Sequence, residues 1–110
     1  MESGEKAALE KALLLTMLGF LDAYRSGAIR AEEAFGVLGV PRLFDRMERA
    51  GISRPVADLL GEADEFEALK SVGGEEVWLK SIEEAMERCR VLLAARPYEA
   101  QFGTLLKLFD

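Results

Sequence analysis

No histidine occurs in this chain, and Cys89 is its only thiol. The commonest general base and the commonest metal ligand are therefore both missing. A Ser-His-Asp or Cys-His nucleophile needs an imidazole to take its proton. Zinc sites want several cysteine or histidine ligands, and a carboxylate-bridged di-metal bundle wants Glu-x-x-His pairs. Calcium loops place Asp or Asn at alternate positions about a glycine, a spacing the run from Glu62 to Glu67 lacks. Gly73-Gly74 is not followed by the Lys-Ser/Thr of a phosphate loop. Cys89 falls on an apolar helical stripe, the setting of a structural thiol rather than a reactive one. Carboxylates such as Asp22 remain as acid–base candidates, but their spacing offers no pair. The reading is a non-catalytic chain with no cofactor and no metal.

What remains is charge. The chain carries 20 Asp/Glu against 14 Lys/Arg, a net charge of −6 over 110 residues. Non-specific nucleic-acid binding and attraction to an anionic membrane both need a positive field. The charge is uneven. Residues 1–30 are neutral, and the stretch from Glu62 to Glu87 sets nine acids against Lys70 and Lys80. Glu76, Glu83, Glu84 and Glu87 are the expected exposed residues of an acidic docking face for a basic protein. A solvated helix face that keeps the protein soluble would show the same composition.

The cations have a pattern of their own. Arg42, Arg46 and Arg49 form one helical stripe, and Arg54 follows Gly51-Ile52-Ser53. Residues 41–60 resemble a helix-turn-helix, with glycine in the turn and Arg54 opening the second helix. This gives the alternative function, a DNA-binding regulator using Arg42, Arg46, Arg49 and Arg54. Against it stand Asp58, Glu62, Asp64 and Glu65, which would repel phosphates. Asp45 and Glu48 also interleave with the arginines and can neutralise them.

These side chains must be positioned by helices. Leu9, Leu13, Met17, Phe20 and Tyr24 recur at spacings of three and four, and Leu14, Leu15, Leu18 and Leu21 widen the stripe. The spacing predicts a helix over 5–25 that is apolar on most sides and therefore central. Gly19 inside it suggests a neighbouring helix crossing close by, since glycine costs about 1 kcal/mol in a helix interior. Further helices are expected over 31–38, from Pro41 to before Gly51, and over 54–63 with Ser53 as cap. Residues 64–71 continue that helix or restart, and Gly73-Gly74 breaks the chain. The last long helix spans 75–95. Its inward stripe is Trp78, Ile82, Ala85, Cys89 and Leu92, and Glu76–Lys80 and Glu84–Arg88 are expected as pairs four apart. The tail from Tyr98 is helical or extended, and Leu105 to Phe109 could pair with a second copy. Phe20, Tyr24 and Trp78 could instead line a small-molecule pocket, although core packing explains them equally well.

The apolar run from Leu13 to Leu21 is too short to span a bilayer, which takes about 20 residues, and acids precede it, unlike a signal peptide. One unpaired cysteine fits a reducing, cytoplasmic setting. The chain is thus expected to be a single all-α domain over 1–110, a bundle of about five helices around a central N-terminal one.

Two stretches carry a family resemblance. Leu18-Gly19-Phe20-Leu21-Asp22-Ala23, with Gly27 and Glu32-Glu33-Ala34, resembles the opening of a small bacterial family of uncharacterised helical proteins of about this length. The stretch from Leu60 to Leu69 is similar to that family's acidic central segment, with Asp64-Glu65 departing from its usual order. The resemblance implies a small helical fold and brings no activity with it. By size and charge, such chains resemble immunity or antitoxin-like partners of basic proteins.

Overall fold

The computed structural model describes residues 3–33, 41–62, 65–97, 99–100 and 102–106. Among them the chain forms five helices and no strand: α1 (Ser3–Ser26), α2 (Pro41–Arg49), α3 (Arg54–Glu62), α4 (Phe66–Ala94) and α5 (Phe102–Leu106). Residues 31–33 are also helical; the rest of the helix expected over 31–38 lies outside the described residues.

The run of leucines makes α1 the centre of the molecule. Leu9, Leu13, Leu14, Met17, Leu21 and Tyr24 are buried along it, and α3, α4 and α5 all pack against it. The stripe differs from the sequence expectation at three positions. Phe20 is only half-buried, Leu18 is half-buried as well, and Leu15 is exposed. Gly19 also corrects an expectation. Among the described residues a side chain at this position would meet nothing within 4 Å, so none of their helices crosses there. It lies instead on an open apolar groove with Leu15, Phe20 and Ile29. The helix ends where Gly27 takes φ +83° and Ala28 donates its N–H back to the Ala23 carbonyl.

The longest element, α4, buries Trp78, Ile82, Ala85, Met86 and Cys89 against α1, with Leu92 half-buried at the end of the stripe. Gly73-Gly74 breaks this element, as expected, into two helical arms. Gly74 sits at φ +82°, ψ −179°, a conformation open essentially to glycine alone. The kink gives α4 two arms, 66–73 and 75–94. Phe66 anchors the short arm in the core.

The α2–α3 turn uses Gly51 at φ +73°, with the Ile52 N–H donated to the Met47 carbonyl. Ser53 stands at the start of α3 as expected, but its hydroxyl does not cap the helix. It accepts a hydrogen bond from Arg96 at 3.2 Å, and only its carbonyl takes the first N–H groups of α3. Leu105 of α5 is buried, while Phe102 and Leu106 are exposed. Residues 107–110, expected as part of a pairing tail, lie outside the described residues. No helix among the described residues is long and apolar enough to cross a membrane.

Candidate functional site

The expected acidic face is carried by the long arm of α4. Glu76, Glu83, Glu84 and Glu87 are all exposed, on the side away from the buried stripe. Helical spacing divides them. Glu76, Glu83 and Glu87 stand at i, i+7 and i+11, on one line along the helix. Glu84 is turned aside, into a small cleft with Glu62, Leu69 and Arg88.

The pairing is also not the one expected from spacing. Arg88 reaches Glu62 on α3 with both terminal nitrogens rather than Glu84 on its own helix, which fastens α3 to α4. Glu76–Lys80 forms no ion pair. Glu83 lies 3.7 Å from Arg25 of α1, and Glu87 accepts from Arg90 at 3.2 Å. Among the described residues, Glu76 and Glu84 pair with no cation. The face is therefore acidic but partly neutralised at its α1 edge.

The alternative basic surface is thinner. Arg49 and Arg54 are exposed, Arg46 is half-buried, and the side chain of Arg42 lies outside the described residues. The exposed side of α3 carries Arg54, Pro55, Asp58 and Gly61, one cation balanced by one carboxylate.

Tyr24 and Trp78 do come together, though without Phe20. Their rings meet edge to face at 5.3 Å, and the Trp78 indole N–H donates to the Tyr24 hydroxyl at 2.8 Å. That hydroxyl donates in turn to Glu67 on the short arm of α4, and the Lys70 ammonium lies 4.4 Å over the Trp78 ring. Both aromatics are nearly closed off, so they form the floor of a cleft of about 430 Å³ whose mouth carries Arg30, Glu32, Lys70 and Glu75. The contacts with Glu67 and Lys70 hold the kinked short arm down over Trp78.

Burial, reinforced by the hydrogen bond to Glu67, pushes the Tyr24 hydroxyl from 10.0 up to about 12, against a smaller opposing effect of the Trp78 hydrogen bond. Burial likewise pushes the Cys89 thiol from 9.0 up to about 11, against the pull of Arg88 and Arg90. Both shifts favour the protonated form in the folded state. Their contribution is complete below the unfolded values and is lost as pH rises, from about 9 to 11 for Cys89 and from about 10 to 12 for Tyr24. Denaturant melts across this range should show falling stability. Tyr24→Phe should flatten the part between pH 10 and 12; an unchanged slope would remove Tyr24 as its source.

One cluster escaped the sequence reading. Glu10 is buried, and its carboxylate accepts from Arg96 Nε at 3.3 Å and Nη2 at 3.2 Å, and from the Ser53 backbone N–H. Arg96 also donates to the Leu92 carbonyl at 2.7 Å. These bonds join α1, the start of α3 and the end of α4, so the cluster is a structural clasp. Its members lie 43 and 86 residues apart, and no local pattern announces them. Among the described residues, no group of three acidic or cysteine side chains is placed to hold a metal ion.

A family model described as a protein of unknown function (DUF3969) matches residues 4–106. No curated protein and no solved structure matches the chain.

Proposed function

The chain belongs to the family described as protein of unknown function (DUF3969), and from that premise we propose that it is a non-catalytic protein-binding module. Its partner is a protein with a basic surface, in the manner of an immunity protein or antitoxin, and its setting is the bacterial cytoplasm. The observation that carries this reading is the exposed line of Glu76, Glu83 and Glu87, with Glu84 beside it, on the outer side of the longest helix. A rigid helix packed on the central α1 presents these carboxylates at fixed spacing, which suits electrostatic steering of a cationic partner. The other reactive group, the Cys89 thiol, is buried and held protonated.

Reversing charge with Glu83→Arg and Glu87→Arg should weaken capture of that partner by about tenfold or more, because like charges then meet across the contact. Circular dichroism should show the helices intact, since both side chains are about two-thirds exposed, at 64% and 66%. Undiminished capture by the folded double variant would rule out this face.

A further inference from the structure

The cleft beside the kink of α4 is walled by the end of α1, the turn after it and both arms of α4. Arg25, Arg30 and Lys70 line it, and so do Glu32, Glu67 and Glu75. The two sets do not cancel. Arg25 is already paired with Asp22 and Glu83, and Arg30 with Glu33, none of which lines the cleft. Glu67 accepts from the Tyr24 hydroxyl, a donor without charge. Glu32 and Glu75 are exposed and, among the described residues, pair with no cation. Among the same residues Lys70 forms no ion pair either, although three carboxylates share its cleft. Its ammonium lies instead over the face of Trp78, 4.4 Å from the ring centre.

That position is where a cation is held. An indole face attracts an ammonium group through its quadrupole, most strongly where water is excluded. Trp78 is fixed for this by its bond to the Tyr24 hydroxyl, and the same hydroxyl holds Glu67 at the rim. The end of α1 also opens on the cleft, at Ser26 and Gly27, and the C-terminal end of a helix carries partial negative charge. We infer that this cleft binds a small alkylammonium ligand, and that Lys70 occupies the ammonium position in the free protein. Lys70 is exposed and reaches the ring on a flexible stem, so a ligand can displace it without moving the helices. Small-molecule sites usually enclose about 300–1,000 Å³. At about 430 Å³ the cleft takes a ligand body as well as its cationic head.

Trp78 is the chain's one tryptophan, so its emission reports the site directly. The full chain is titrated at constant ionic strength with choline, and separately with the neutral alcohol in which carbon replaces the choline nitrogen. In Lys70→Ala, choline should change the emission saturably, with affinity about fivefold or more above that of wild type, because the competing ammonium is gone. The alcohol should give no saturable change. Phe66 still anchors the short arm in this variant, and circular dichroism should show the helices intact. Adding Glu67→Gln should weaken choline binding by about fivefold, since the carboxylate at the rim is neutralised. No saturable response to choline in folded Lys70→Ala, or an equal response to the alcohol, would overturn the inference. A lysine peptide that binds more tightly than choline would overturn the small-ligand assignment and make the cleft a socket for a partner's side chain.

Discussion

Replacing Arg96 with methionine should destabilise the fold by about 3–5 kcal/mol, because it leaves the Glu10 carboxylate buried with its cation removed. Total stability for a domain of this size is about 5–15 kcal/mol, so this one change removes a large share of it. The cost arises from geometry. Glu10 is 3% exposed, in the middle of α1, and water cannot reach it to replace the guanidinium. The partner substitution supplies the control. With both Glu10→Met and Arg96→Met the orphaned charge is gone. The remaining cost should fall to about 1–3 kcal/mol, the price of leaving the Ser53 N–H without its acceptor. Urea melts of the single and double variants measure both. A single variant no worse than the double one would mean that the clasp is not a closed, desolvated pair.

The second large effect is Leu13→Ala, expected to cost about 2–5 kcal/mol, set against Leu15→Ala at under about 1 kcal/mol. Leu13 is fully buried, while Leu15 is 39% exposed on the opposite side of the same helix. Equal losses from the two variants would contradict the placement of α1 at the centre of the bundle.

This leucine pair also marks where sequence reasoning stops. Residues 13–15 are three consecutive leucines, and composition treats them alike. The heptad-like stripes of α1 and α4 identified the class, the central helix and most of the core, because burial of a helix face is a local, periodic signal. Leu15, Leu18 and Phe20 are less buried than their place on the stripe suggested, because a helix apolar on most sides has no sharp boundary to its buried face. Gly19 misled for a related reason. Glycine in a helix signals close packing only when something packs there, and here it borders an open groove. The break at Gly74 was legible, yet only the packing shows that the arm before it lies back over Trp78.

The candidate faces were legible in part. That Glu76, Glu83, Glu84 and Glu87 would be exposed follows from their position opposite the Trp78–Cys89 stripe. Which cations meet them does not follow, because Arg25 comes from a distant part of the chain, as does Glu62, which takes Arg88 from Glu84. Arg88 chose Glu62 over the carboxylate four residues away because both of its terminal nitrogens can engage there. The Glu10–Arg96–Ser53 clasp was invisible for the same reason. Its three members signal helix, helix end and helix cap locally, and their shared role exists only once α1, α3 and α4 have packed.

The central claim, that the acidic line on α4 is a docking face for a basic protein, is tested most directly by a comparison of three tagged baits. Wild type, Glu83→Arg with Glu87→Arg, and Arg49→Ala with Arg54→Ala would be exposed to nuclease-treated lysate of the source organism and eluted in salt steps. The account predicts one basic protein retained by the wild type and the arginine variant, lost from the glutamate variant, and released by moderate salt. Binding that vanishes on nuclease treatment and on loss of Arg49 and Arg54, with the glutamate variant unaffected, would contradict it and favour the DNA-binding alternative.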